Sequence, residues 1–311
     1  MLYLIGEEKK GYMIKWANIF ISMVLEALPF ILIGAIISSI IQMYISEERV
    51  KKILPRSRFI SIIIAAILGI FIPICECAIV PIARSLIKKG VPIAVAIVFM
   101  LSVPIVNPIV IVSTFYAFND TKIVLIRVLG GIISAIIIGF LIEILTNKKE
   151  EVVKIKSQYE NICDCGCEVV DYFYNKSKLR LCLEHSSKEF FNILRYYIFG
   201  SFLSSIFIII LKEEYLINYT KGTLLPIFMM MSLAFLLSLC SEADAFIAKG
   251  FLSYFGVPAI SAFLILGPML DLKNAIIISS YFKKSFAYKL IFLIVVVVLA
   301  FSTALTFIIK Y

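Results

Sequence analysis

Residues 71–108 read FIPICECAIVPIARSLIKKGVPIAVAIVFMLSVPIVNP, and the reading of this stretch decides the fold. It lies inside continuous apolar sequence, yet it holds Cys75, Glu76, Cys77, Arg84, Asn107 and five prolines. A segment that only had to span a bilayer would not carry these. Each polar group held out of water is costly, and each interior proline removes a backbone hydrogen bond. Unwound backbone at membrane depth survives only where it is buried in protein or lines a cavity. The stretch therefore predicts broken helices at the centre of an all-α integral membrane protein.

Composition agrees. The chain has 311 residues, 61% of them hydrophobic and only 16% charged, with a mean hydropathy of +1.02. About a quarter of an ordinary soluble domain is charged. The net charge of +9 is concentrated in short loops, for example Arg49, Lys51, Lys52, Arg56 and Arg58. That pattern points to the lipid bilayer as partner, not to nucleic acid. The opening MLYLIGEEKKGYMIK lacks the basic start of a secretory signal, so the first span is expected to stay. The chain has no GxxxxGK[ST], HExxH or GxSxG and a single histidine, His185, so an enzyme is not expected and no cofactor is implied.

Working outward, apolar runs cover residues 16–45, 59–88, 91–119, 123–145, 190–211, 223–249, 257–282 and 286–309. This predicts about eight transmembrane helices, with ten as the alternative count should 73–90 form a re-entrant element. Residues 147–189 hold eight basic and eight acidic residues and read as a solvated linker. The second half repeats the first. A shift of 166 places Gly34 on Gly200, Ser38-Ser39 on Ser204-Ser205, Glu76 on Glu242, Gly90-Val91-Pro92 on Gly256-Val257-Pro258 and Ser113 on Ser279. We expect a first membrane repeat over 1–146, a charged linker over 147–183 and a second membrane repeat over 184–311. Internal repeats of this kind are common in secondary transporters, whose sites lie where interrupted spans of the two halves meet. Four crossings per half would put both termini on the linker's side, taken as cytoplasmic. The basic loop at 46–58 would then face outward, against the positive-inside expectation.

Glu76 and Glu242 are the sharpest pair: equivalent acids in two broken spans, able to bind protons or a cation, or to pair with Arg84 and Lys249. Cys75 and Cys77 offer two soft ligands one residue apart, suited to copper(I), zinc or trivalent arsenic; alternatively they are small residues packed in a helix. Asp244 follows Glu242 by two as Cys77 follows Cys75, as if the second half had exchanged thiol for carboxylate. Asn107, between Pro104 and Pro108, offers a donor and an acceptor beside a break. Gly267-Pro268-Met269-Leu270-Asp271 takes the neighbouring place in the second half after a two-residue slip. Cys163, Cys165 and Cys167 form a CxCxC that could hold a soft metal on the linker. Glu26, mid-span before Pro29, is a further candidate for the same polar interior.

Pro73, Cys75, Cys77, Pro81, Leu86, Gly90, Pro92, Ala96, Phe99, Pro104, Asn107 and Pro108 together form a long pattern. It resembles the ArsP/YraQ-type predicted permeases, as do Gly256-Val257-Pro258 and 267–271. The resemblance implies a multi-spanning permease of the inner or plasma membrane, some members of the family exporting trivalent organoarsenicals. Where that family commonly has CSCG, this chain has Cys75-Glu76-Cys77-Ala78, a change that points to a cation or to proton coupling. The expectation is a permease whose substrate site draws on Cys75, Glu76, Cys77, Asn107, Glu242, Asp244 and Asp271, with a thiophilic small molecule or metalloid as solute. The alternatives are a permease for another small solute or cation, or a metal-responsive membrane binding partner without transport.

Overall fold

The structure is a computed structural model that describes residues 2–44, 57–71, 76–146, 152–153, 178–210 and 224–309. Twelve α-helices account for most of the described residues: α1 (Leu2–Tyr44), α2 (Arg58–Leu68), α3 (Glu76–Lys88), α4 (Ile93–Val106), α5 (Pro108–Phe118), α6 (Thr121–Leu145), α7 (Lys178–Ile210), α8 (Leu224–Leu237), α9 (Asp244–Phe251), α10 (Val257–Met269), α11 (Leu272–Tyr281) and α12 (Lys284–Ile309). In lipid the backbone must satisfy its own hydrogen bonds, which apolar sequence does by coiling into helices. The breaks fall where side chains or prolines offer other partners. Pro104 and Pro108 flank the α4–α5 break, where the axis bends by 41°. There Asn107 Oδ1 accepts from the Ile109 amide at 3.0 Å and starts α5. Asp271 Oδ1 likewise accepts from the Asn274 amide at 2.6 Å and starts α11. Side chains of this kind replace the helical partners that first-turn amides lack.

Helix directions follow from a few close approaches. A Cβ on Gly69, just past α2, would meet Val103 and Val106 at the end of α4. Phe59, at the start of α2, stacks on Phe140, and the neighbouring Gly139 faces Val98 and Ala94 near the start of α4. So α2 runs parallel to α4. Helix α3 leads through Lys89–Pro92 into the start of α4, and therefore runs back again. Helices α2 and α3 form a hairpin that enters and leaves at the same end of the molecule.

The second half has a matching hairpin from the opposite end. Ser238 takes φ 47°, a left-handed conformation uncommon outside glycine, and turns the chain out of α8. Its hydroxyl accepts from the Leu272 amide at 3.0 Å. Gly267 faces Asp244, so the tip of this hairpin also lies at the end of its neighbour, α10. Helix α9 then returns through 252–256 to the start of α10, while α8 packs along α10.

Among the described residues, five helical stretches are long and apolar enough to cross a membrane: Met13–Ile41, Thr121–Leu145, Cys182–Ile209, Val257–Tyr281 and Lys284–Ile308. The bent pair Ile93–Val106 and Pro108–Phe118 makes a sixth. The described residues thus give five or six candidates where about eight were expected, and α2–α3 and α8–α9 turn back instead of crossing. Helices α1 and α7 are antiparallel, with Trp16 against Phe202 and Tyr197 donating to the Met23 carbonyl at 3.1 Å. Consequently the end of α1, the base of α2–α3, the end of α6 and the start of α7 share one end of the molecule. The first helix begins, and the last helix finishes, at the other. That overturns the expectation that both termini lie on the linker's side.

Candidate functional site

The two hairpin tips meet inside the bundle. Glu76 opens α3 and is 1% exposed. Its Oε2 accepts from the Ser241 hydroxyl on the opposite tip. Its Oε1 is buried and has no hydrogen-bond partner among the described residues. Beside it lies a cavity of about 70 Å³ bordered by Glu26, Glu76, Tyr197, Ser238, Cys240 and Lys273, among others. Asp271 and Lys273 bring charge to the same place, close enough to act on Glu76. Lys273 Nζ sits 3.9 Å from Asp271 Oδ2 and 5.1 Å from the centre of the Tyr197 ring.

A second polar cluster holds the second hairpin in place. Arg127, on α6 and 1% exposed, donates to Asp244 Oδ1 at 2.9 Å and to Oδ2 at 2.8 Å. It also donates to the Thr114 hydroxyl at 2.7 Å and to the Ser241 carbonyl at 3.1 Å. This planar, two-pronged pairing is the arrangement in which arginine binds carboxylate most strongly. It ties the first half's α5 and α6 to the second half's hairpin tip.

The expected residues thus divide. Glu76 and Asp271 stand together near the cavity. Asp244 is at the adjoining tip but wholly engaged by Arg127. Asn107 is buried and caps α5. Glu242 accepts from the Cys240 thiol at 2.6 Å and is not joined to Glu76 by a bond of its own. The alternative pairings with Arg84 and Lys249 are not realised. Arg84 lies two turns along α3 and stacks on the Tyr281 ring at 5.1 Å, and Lys249 lies over Phe118 at 5.6 Å. Cys75, Cys163, Cys165 and Cys167 lie outside the described residues; Cys77 is on the first turn of α3, its side chain outside them too. Among the described residues no group of three or more His, Cys, Asp or Glu could hold a metal ion.

Sequence reasoning missed two residues. Arg127 sits on α6 with no counterpart acid in its own half's pattern, and its spacing from Asp244 carries no signal. Cys240 corrects the idea that the second half lacks a thiol. It lies one residue before Ser241, at the break, and borders the cavity.

With this geometry in view, a family model described as predicted permease, ArsP_1, matches residues 13–307. The chain belongs to this predicted-permease family. It is 41% identical over 288 residues to the UPF0718 protein YcgR of Bacillus subtilis (strain 168), covering 92% of this chain and 95% of that protein. It is 40% identical over 276 residues to a Streptococcus mutans protein named "Putative two-component membrane permease complex subunit", covering 88% and 89%. Over 96 residues it is 30% identical to the UPF0718 protein MJ0584 of Methanocaldococcus jannaschii, 30% of this chain and 26% of that one. No solved structure matches it. As a member of this family, the chain is a multi-pass protein of the cell membrane and a permease.

Proposed function

We propose that this permease is a secondary transporter built of two homologous halves of opposed topology, exporting a small thiophilic solute such as a trivalent organoarsenical. The observation that carries the reading is the junction of the two hairpin tips. A carboxylate, a thiol and an ammonium group border one cavity there, between elements that enter from opposite ends. Discontinuous helices meeting at the midplane are where secondary transporters hold their solutes.

Helix bounds support the repeat. Helices α2, α4, α5 and α6 begin at 58, 93, 108 and 121; α8, α10, α11 and α12 begin at 224, 257, 272 and 284. The differences, 166, 164, 164 and 163, stay near the offset of 166 read from the residues. On this reading the repeats occupy 1–146 and 184–311 and the linker 147–183. Six crossings also remove the conflict over sidedness. Arg49, Lys51, Lys52 and Arg56 lie between α1 and α2, and Lys88, Lys89, Lys283 and Lys284 flank helices at the same end. By the positive-inside rule that end is cytoplasmic, and the linker with it.

A thiophilic solute is favoured because Cys240 borders the cavity and Cys75 and Cys77 flank Glu76 in sequence. Thiolates and thiols are soft ligands suited to trivalent arsenic. The test uses a methylarsenite-sensitive host and everted vesicles. Wild type should protect and accumulate methylarsenite; Cys75→Ser/Cys77→Ser should abolish both, and Cys240→Ser should reduce them. Undiminished protection by the double variant would remove the thiophilic solute from the reading. The name of the S. mutans relative favours a second arrangement, in which this chain works with another subunit. In that case vesicles holding this chain alone accumulate nothing, and a partner co-purifies with it in mild detergent.

A further inference from the structure

Charges at the hairpin junction do not balance. Three carboxylates are buried there, Glu76, Asp244 and Asp271, against two cations, Arg127 and Lys273. Arg127 is committed to Asp244 by two bonds. Lys273 Nζ lies 3.9 Å from Asp271 Oδ2. Glu76 is the one of the three with no ion pair among the described residues. Its geometry says the same: Oε2 takes one hydroxyl hydrogen bond from Ser241, while Oε1 is buried, unpartnered among the described residues and on a residue that borders the cavity. A buried charge without a partner is costly, and an unsatisfied acid inside a membrane marks a proton or ion path by default.

From this junction we infer that Glu76 is the proton-exchange residue of the permease, an inference that rests on the transport reading above. As solute moves outward, the Glu76 carboxylate takes one proton from the outer side and becomes the neutral acid. It gives that proton to the cytoplasmic side before solute binds again. No bond other than this O–H forms or breaks. A protonated Glu76 becomes a donor beside a cavity with room for a few water molecules. Neutralising Glu76 also lets the α2–α3 tip change its surroundings without carrying a bare charge through low dielectric.

The charged and titratable groups around Glu76 come from several neighbouring elements. Helix α1 brings Glu26 at the cavity rim, and α7 brings Tyr197. Helix α11 and its N-cap bring Lys273 and Asp271, with Tyr281 and Glu189 farther off beside Arg84. The second hairpin brings Cys240, Glu242 and Asp244, the last held by Arg127. Buried α4 brings none, Ser102 being its one polar side chain.

The test is infrared difference spectroscopy of the purified full-length protein in lipid nanodiscs, between acid and alkaline buffer. Wild type should show a carboxylic-acid C=O stretching band that is lost on alkalinisation. Glu76→Gln, which keeps an acceptor for Ser241, should lack that band, whereas Glu242→Gln should retain it. A band that persists in Glu76→Gln, or a wild-type spectrum without one, overturns the inference. Methylarsenite accumulation by wild-type vesicles tests the transport reading separately. Its absence would count against transport while leaving the band assignment in place.

Discussion

The hairpins α2–α3 and α8–α9 reach the same point from opposite ends, but they are held there very differently. The second is clamped: Asp244, at the start of α9, receives both prongs of Arg127, and the same guanidinium reaches the Ser241 carbonyl. The first meets the opposite tip, among the described residues, through the Ser241–Glu76 bond, while Ser85 on α3 bonds Ser38 on α1 at 2.8 Å and Arg84 lies over Tyr281. The two tips thus differ in charge pairing: Asp244 is gripped by an arginine, whereas Glu76 has a single hydroxyl partner among the described residues.

Breaking the clamp has the largest expected effect. Arg127→Met leaves Asp244 buried without its counter-charge, and removing one member of a buried pair costs about 3–5 kcal/mol. Thermal unfolding in detergent should show it as a marked fall in Tm. Arg127→Met combined with Asp244→Leu removes both charges and should recover most of the loss, since apolar replacement of a whole pair is often neutral. If the double variant unfolds as early as the single one, the pair is not what holds the second hairpin.

The same contrast shows what a reader of the sequence could and could not see. Hydropathy alone gave the membrane class, and the 166-residue offset tied Glu76 and Glu242 to equivalent breaks. Residues 59–88, however, are long enough for either a broken crossing or a hairpin. Only the approach of Gly69 to Val103 and Val106, beside that of Gly139 to Val98, separates the two. Such contacts lie between residues over 30 apart in sequence and leave no periodic trace. Arg127 was hidden for another reason. The offset places it opposite Leu293, so the spacing that pointed to Glu242 says nothing of it. Asp244 and Asp271 were legible as intramembrane acids. Their roles were not, because a carboxylate that caps a helix, one that grips an arginine and one left open look alike in sequence.

A smaller effect separates two equivalent glycines. A Cβ on Gly34 would fall 2.3 Å from Ala78 Cβ and 3.0 Å from its Cα, so α1 and α3 cannot stay as close. Gly200, its partner by offset, would meet the Lys273 Cα and Cγ at 3.0 Å and its Cβ at 3.3 Å, a milder approach than Gly34 makes to Ala78. Forcing atoms into packed interiors costs about 1–3 kcal/mol, against roughly 1 kcal/mol gained when alanine replaces glycine in a helix. Gly34→Ala should therefore destabilise the protein, and Gly200→Ala should be close to neutral. Equal shifts in Tm for the two would show that α3 yields at Ala78 as readily as α11 does at Lys273.

The smallest effect lies at the far ends of the returning helices. Arg84, near the end of α3, stacks on Tyr281 at the end of α11. Lys249, near the end of α9, lies over Phe118 at the end of α5. Each couples a hairpin to the other half, but Arg84 is 9% exposed while Lys249 is open to its surroundings. Cation–π pairs run from about 0.5–1 kcal/mol when exposed to about 2 when desolvated. Double-mutant cycles should thus give the greater coupling for Arg84→Met with Tyr281→Phe replaced by Tyr281→Leu, and the lesser for Lys249→Met with Phe118→Leu. Comparing Tyr281→Phe with Tyr281→Leu separates the ring from the hydroxyl, which donates to Glu189 at 2.8 Å. A ring that stacks on Arg84 keeps most of its coupling in Tyr281→Phe. If coupling disappears there as well, the link from α3 to α11 runs through the Glu189 hydrogen bond, and the first hairpin is anchored by α7 at its base instead of by the facing half.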